Sequence, residues 1–282
     1  MNGKSVVVTG ASTGIGEATA LRLDRLGLRV FAGVRKPADG DRLRATASER
    51  LTPVSIDVVD ADSIDQAAAE VAELTGGRLS GLVNNAGVAV SAPLEFVPLD
   101  ELRRQLEINV VGQIAVTQAF LPMLRSARGR IVNIGSVGGR IALPLLGPYN
   151  ASKFALEALT DCLRRELRPW GMQVAIVEPG GIATPIWDKS GVAADGLLAS
   201  MPPRVEELYG RLIAAIRKEA EKTGRTGLPP SAVAEAVEHA LTADKPRTRY
   251  LIGREAKARV AISRLIPDRA FDALIARSLG RG

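Results

Sequence analysis

Short, continuously apolar runs alternate along this chain with longer stretches whose apolar residues recur at helical spacing. The runs occupy 5–9, 29–34, 51–56, 82–84, 130–134, 173–177 and 249–252, and they are rich in Val and Ile. Helical patterns fill 14–26, 63–74, 99–125, 149–167 and 231–241. Strands that are apolar on both faces, separated by helix-length segments, specify a parallel sheet covered on both sides. The predicted fold is therefore α/β: a doubly wound, Rossmann-type sheet of about seven strands in a single domain, with its ligand crevice at the strands' carboxyl ends. One segment breaks the alternation. Residues 184–204, TPIWDKSGVAADGLLASMPPR, are dense in Pro, Gly and small side chains, which predicts an irregular excursion able to cover the crevice. The chain thus divides into a dinucleotide-binding domain over 1–253, carrying a helical substrate lid at about 185–228 that opens on this stretch, and a basic helical extension over 254–282.

Composition narrows the class. With 282 residues, 46% of them apolar, the chain can bury a large core. It holds no uninterrupted apolar run of spanning length, so no transmembrane helix is expected. The single cysteine, Cys162, excludes an internal disulfide framework and reads as a small core residue on the inner side of its helix pattern. Together with a start that runs straight into a strand, it predicts a cytoplasmic protein without a signal peptide. The net charge of +6 invites a nucleic-acid reading. Its location argues otherwise: from Lys245 onward ten Lys or Arg face three Asp or Glu, leaving the rest near neutral. No helix-turn-helix, zinc or RNA-binding motif accompanies that tail, so no nucleic-acid partner and no metal are expected. The final stretch, EAKARVAISRLIPDRAFDALIARSLGRG, alternates apolar and basic residues and is expected to pack on its own domain rather than on a membrane or a neighbouring subunit.

VTGASTGIGEA, at 8–18, joins the first strand to the first helix. That is where backbone amides and a helix N-terminus together receive a phosphate, and glycines let the main chain turn tightly and approach it. Gly10, Ser12, Thr13, Gly14, Ile15 and Gly16 are the candidate contacts to a dinucleotide pyrophosphate. The spacing G-x-x-x-G-x-G differs from the common G-x-G-x-x-G fingerprint. A carboxylate after the second strand would bond an adenosine ribose 2′-hydroxyl; this chain has Arg35 and Lys36 instead, which favours NADP(H) and leaves NAD(H) open. Asp57 and Val58 end the third strand, where they are placed to meet the adenine; the alternative for Asp57 is a helix cap.

The chemistry sits further on. In GPYNASKFALEALTDCLRREL, Pro148 suits a first turn, and Tyr149 and Lys153 share one helical face. A free tyrosine is a poor base at neutral pH. A nearby ammonium and the positive helix end favour the phenolate and are expected to bring it towards working range. Tyr149 could then exchange a proton with an alcohol or carbonyl oxygen that Ser136, after the strand RIVNIG, also holds.

These motifs occur in an order that resembles the short-chain dehydrogenase/reductase family. TGASTGIG matches its Thr-Gly-x-x-x-Gly-x-Gly, NNAG at 84–87 its fourth-strand motif, and Ser136 with Tyr149 and Lys153 its Ser followed by Tyr-x-x-x-Lys. The resemblance implies that Asn85, Ala86 and Gly87 line the cofactor site and that Asn109, in EINVVG, holds a water in a proton relay. EPGGIAT matches Pro-Gly-x-x-x-Thr, implying contacts to the cofactor from Pro179, Gly180, Ile182 and Thr184. RSARGRIVNIGSVGGRI and DCLRRELRPWGMQVAIVEPG look like the branch of retinol, hydroxysteroid and 3-hydroxybutyrate dehydrogenases. Three departures are visible: Gly135 precedes Ser136 where many members have a serine, the first residues do not resemble the hydrophobic anchor of the membrane-bound members, so that a soluble enzyme is expected, and Arg35 stands where NAD-using members keep an acidic residue.

The reading is an NADP(H)-dependent oxidoreductase that interconverts a secondary alcohol and a ketone, or an alcohol and an aldehyde. Tyr149 is the acid/base, Lys153 tunes it and holds the nicotinamide ribose, Ser136 orients the substrate oxygen, and Asn109 serves the relay. Leu143, Leu145, Leu146, Ile186 and Trp187 suggest an apolar pocket for a lipid-, steroid- or retinoid-like compound, with a homodimer or homotetramer as the assembly. A 3-oxoacyl thioester reductase with the same four residues, or a dinucleotide-binding sensor or scaffold without turnover, are the alternatives. His239, the only histidine, is given no catalytic role.

Overall fold

Strand β1 (Ser5–Val8) shows why this sequence folds in layers: Val6 and Val8 enter one apolar layer while Val7 enters the other. A strand buried on both faces needs helices on both faces. The computed structural model, which describes residues 3–280 apart from the side chains of residues 188 and 189, supplies them. Met1, Asn2, Arg281 and Gly282, the outer ends of the predicted units 1–253 and 254–282, lie outside the described residues. After β1 come α1 (Gly14–Arg25), β2 (Arg29–Val34), α2 (Pro37–Arg44), β3 (Leu51–Ser55), α3 (Ala61–Thr75) and β4 (Gly81–Asn84). The middle of the chain adds α4 (Leu99–Leu106), α5 (Gly112–Ala127), β5 (Arg130–Ile134), α6 (Gly147–Glu166) and β6 (Gln173–Pro179). It ends with α7 (Ile186–Ala199), α8 (Arg204–Thr226), α9 (Pro230–Thr242), β7 (Arg249–Ile252), α10 (Arg254–Leu265) and α11 (Asp268–Ser278).

The seven strands run in the order β3-β2-β1-β4-β5-β6-β7, every neighbouring pair parallel. On one face, Ala20 and Leu23 of α1 and Val233 and Val237 of α9 cover Val6, Val8, Val30 and Val132. On the other, Ile64 and Val71 of α3 and Val116 and Phe120 of α5 cover Val7, Phe31, Leu82 and Ile131. The direction of winding reverses between β1 and β4, so a crevice opens there at the strands' carboxyl ends.

The strands match their sequence-predicted positions to within two residues; four other features differ. The eight-residue α2 was not anticipated: it buries only Gly40 and Leu43, so its apolar pattern is too sparse to register. The helix predicted over 99–125 is continuous, but at Glu107–Val111 its ladder widens to a π turn in which the Gly112 N–H donates to the Glu107 carbonyl. Gly112 brings the next turn against Val58, where a Cβ would stand 2.4 Å from the Val58 carbonyl oxygen. The stretch predicted to be irregular, 184–204, is instead mostly helix α7, broken only near Pro202 and Pro203. Its two glycines lower helix propensity by about 1 kcal/mol each, which the packing of Ile186, Trp187, Leu197 and Leu198 overrides. Finally, Cys162 is exposed rather than a core residue, because the inner side of α6 runs through Leu156, Thr160, Leu163 and Leu167.

At the C-terminal end α10 buries Ala256 and Val260, whereas α11 has no buried residue and leaves Leu274 open to solvent. No described helix is long and apolar enough to cross a membrane.

Candidate active site

The turn after β1 is fixed by its neighbours. Gly10 and Gly14 take φ of +63°, and a Cβ on Gly16 would stand 2.2 Å from the Gly10 carbonyl oxygen. Asn85 holds the same turn from the end of β4, its amide donating to the carbonyls of Thr9 (2.9 Å) and Gly10 (3.1 Å). The Asn85 and Ala86 N–H groups both donate to the Thr9 hydroxyl. Arg42 of α2 clamps the outer side, donating to the Ser12 carbonyl and pairing with Glu17. A stiff glycine turn that leads into a helix N-terminus, its first amides without helical partners, fits a pyrophosphate. Ser12, Thr13 and Ile15 lie in this turn, and Thr184 packs against its rim, its Cβ 3.3 Å from where a Cβ on Gly14 would stand.

The other sequence-predicted cofactor residues surround that cradle. Arg35 and Lys36 are exposed at the carboxyl end of β2, and Arg35 has no ion-pair partner among the described residues. The Asp57 N–H donates to the Ser63 hydroxyl, while the cap of α3 is Asp60, which accepts from the Ser63 N–H; Val58 is buried under Gly112. Beyond β6, Gly180 donates to the Ile252 carbonyl, and Ile182 is buried beside Leu228. Gly87 lies close to the Asn109 carboxamide oxygen. Asn109, in the π turn, accepts from the Val88 N–H and donates to the Val88 carbonyl and the Ser152 hydroxyl, tying the end of β4 to α6.

Ser136 follows β5, and Tyr149 and Lys153 stand on the first turns of α6. Ser136 and Tyr149 meet at Gly138, where a Cβ would stand 3.2 Å from the Tyr149 ring and 3.3 Å from the Ser136 hydroxyl. Lys153 donates to the Ile134 carbonyl at 2.8 Å, and its Nζ lies 5.8 Å from the centre of the Tyr149 ring. The expected depression of the tyrosine is not what these groups produce. Burial pushes the Tyr149 phenol above its ordinary 10.0, and the hydrogen bond with Ser136 only partly opposes it. Burial also lowers Lys153 to about 8, against a smaller upward pull from Glu157. Desolvation outweighs the charge–charge attraction that sequence spacing suggested. In the protein alone the pair is a neutral phenol, able to give a proton, beside an ammonium near the edge of its titration.

Behind Lys153 lies a group of charges that sequence reading missed. Glu157, one turn further along α6, and Glu178 of β6 are both buried, and Arg140 and Arg249 reach each of them. Burial and the neighbouring Glu178 raise Glu157 to about 8 despite the two arginines. Arg140, Glu157, Glu178 and Arg249 come together only through the fold; no local motif links them.

The crevice continues into a cavity of about 270 Å³ that Ser136 and Tyr149 line together with Ile141, Leu143, Leu145 and Leu146. Ile186, Trp187 and Leu198 of α7 and Ile213 and Ile216 of α8 form its cover. The Trp187 indole donates to the Ile182 carbonyl, which fixes the ring against the Pro-Gly turn. Leu145 holds a φ of +63°, a conformation costly for a branched side chain. The Tyr209 hydroxyl of α8 donates to Glu95 at 2.7 Å, tethering the cover to the loop after β4. The cavity thus gathers the five pocket residues expected from sequence and adds Ile141, Leu198, Ile213 and Ile216. His239 is elsewhere, hydrogen-bonded to the Tyr250 hydroxyl.

The chain matches the short chain dehydrogenase family over residues 4–194. An NADPH-dependent 3-dehydrocapnine reductase of Ornithobacterium rhinotracheale is 37% identical over 279 residues, 97% of this chain and 96% of that relative. Retinol dehydrogenase 5 of Mus musculus is 40% identical over 283 residues, 98% of this chain and 89% of that relative. A solved short-chain dehydrogenase/reductase from Burkholderia phymatum, in complex with NAD, shares the fold with a TM-score of 0.80 at 27% identity, covering 94% of both chains.

Proposed function

Because the chain belongs to the short-chain dehydrogenase family, and is an oxidoreductase acting on CH–OH groups, we propose that it interconverts an apolar secondary alcohol and its ketone, or an alcohol and its aldehyde, with NADP(H). The observation that carries this reading is the meeting of Ser136 and Tyr149 with an apolar cavity at the carboxyl end of the sheet. The substrate class is a lipid-, steroid- or retinoid-like carbonyl, because Ile, Leu, Val and Trp side chains line the cavity beside Ser136 and Tyr149. Arg35 and Lys36, exposed where a ribose carboxylate partner would otherwise stand, support NADP(H) over NAD(H).

The glycine turn would hold the pyrophosphate, Lys153 the nicotinamide ribose, and the turn from Pro179 to Thr184 the nicotinamide. When bound, the dinucleotide supplies or takes up the hydride at the substrate carbon. The chain's own part is the proton. In reduction, the Tyr149 hydroxyl donates to the carbonyl oxygen, and the Ser136 hydroxyl donates a second hydrogen bond that orients it. The burial that holds Tyr149 neutral keeps it loaded for this step. The Lys153 ammonium stabilises the phenolate left behind, and Asn109 positions α6 through Ser152.

The test is consumption of NADPH by purified enzyme offered steroid, retinal, medium-chain and thioester carbonyls. Turnover of the apolar carbonyls is expected, with at least a tenfold preference for NADPH over NADH. Tyr149→Phe should reduce kcat about 10³-fold or more while leaving NADPH binding intact. Retained turnover in that variant, or tenfold better use of NADH, overturns the corresponding assignment.

A further inference from the structure

The substrate cavity is apolar at its base and charged at its rim. Four ionisable side chains line the rim: Asp195 of α7, Arg217 and Glu219 of α8, and Arg259 of α10. Arg217 is paired with Asp195, and Glu219 has Lys222 3.8 Å away. Arg259 has no hydrogen bond or ion pair among the described residues. One positive charge, exposed at the mouth, is therefore left without a partner where the apolar chamber opens. It is also anchored. Ala256, one turn earlier on α10, packs where a Cβ on Gly180 would stand 2.9 Å away, and Val260 is buried, so the helix that carries Arg259 is seated on the Pro-Gly turn of the active site.

A guanidinium presents a planar fork of N–H donors that pairs with a planar or tetrahedral anion, and at the mouth of an apolar chamber it meets the end of whatever lies inside. Resting on the reading of the preceding subsection, we propose that Arg259 is the counter-ion for an acidic group that the substrate carries away from its reacting carbon. The enzyme then takes an anionic amphiphile: an apolar body with the carbonyl or alcohol at the Ser136–Tyr149 end and a carboxylate, sulfonate or phosphate at the α10 end. A neutral lipid of the same length fills the apolar part of the cavity but leaves Arg259 unmatched.

The test uses the full chain with saturating NADPH and a series of oxo fatty acids of increasing length, each beside its methyl ester and the corresponding oxo alkyl sulfonate. For the length that fits, the acid and the sulfonate are expected to exceed the ester in kcat/KM by about tenfold or more, the range for a hydrogen bond to a charged partner. Arg259→Met should abolish that preference chiefly through KM, and Arg259→Lys should restore part of it. NADPH affinity, read by its fluorescence, should stay within twofold in both variants. An ester used as well as its acid, a preference that survives in Arg259→Met, or an equal loss of NADPH binding overturns the proposal. If no carbonyl is reduced, the reading of the enzyme's reaction fails separately; titration calorimetry of acid against ester on the NADPH complex then decides Arg259 by the same tenfold criterion.

Discussion

The glycine turn after β1 and the α7–α8 cover both face the crevice and both contain glycines, yet the glycines do opposite things. A Cβ on Gly16 would meet the Gly10 carbonyl at 2.2 Å and the Asn85 amide at 2.5 Å, whereas a Cβ on Gly191 or Gly196 would meet nothing within 4 Å. In the turn, absence of a side chain is a packing requirement, set by the turn's own backbone and by Asn85 and Ala86 after β4. In the cover, it is slack. On the proposed reading, cofactor binding falls to a turn with no room to relax and substrate admission to a helix with open space around its glycines, where local opening costs little. Tyr149 of α6, the proposed proton donor, and Ser136 after β5 line the cavity that α7 and α8 cover.

The largest expected consequence of that contrast is Gly16→Ala. The new methyl group has no direction in which to relax, so NADPH affinity should fall about 100-fold, equivalent to ~3 kcal/mol. A fluorescence titration that finds less than a threefold loss would break the comparison at its rigid end.

Next is the pH profile. Lys153 titrates at about 8, so its ammonium is complete below that pH and lost above it, while Tyr149, pushed above 10.0, keeps its proton throughout. Reductive kcat/KM should therefore fall by about tenfold per unit above pH 8. Leu198→Ala, in the cover, should raise KM by about tenfold and leave that pH limb in place. Movement of the limb by the Leu198 variant would show that the two regions are not separable.

The smallest effect is Gly196→Ala. In a helix, with open space around it, the change should stabilise the protein by ~0.5–1 kcal/mol, or about 1–4 °C in Tm by calorimetry. A drop in Tm would mean that the cover is packed more closely than its glycines suggest.

The same contrast explains what could be read from the sequence. Strands such as 130–134 and 173–177 stand out because both faces are buried, so every residue votes. Tyr149, Lys153, Ser136 and the glycine turn were visible because local geometry dictates their spacing. Helix α7 was not, since small residues and glycine argue against a helix unless tertiary contacts from α8 are known. The position of Cys162 was misjudged by helical phase alone: one step around α6 separates core from solvent. Arg42, Glu178 and Arg249 pair with residues far away in sequence, which no spacing rule detects. The direction of the Tyr149 shift also eluded sequence, because a sequence counts charges but does not measure how much water surrounds them.

The contact between Thr184 and the rim of the Gly14 turn joins residues about 170 positions apart. Chain elongation proceeds at roughly 5–20 residues per second, so about 10–35 s separate synthesis of the two halves of the cradle. With every strand pair parallel, no hairpin can assemble the crevice early. On the ribosome, the dinucleotide cannot act as a template for the first half of this fold; it can only lock a cradle whose last wall arrives with β6 and the turn beyond it.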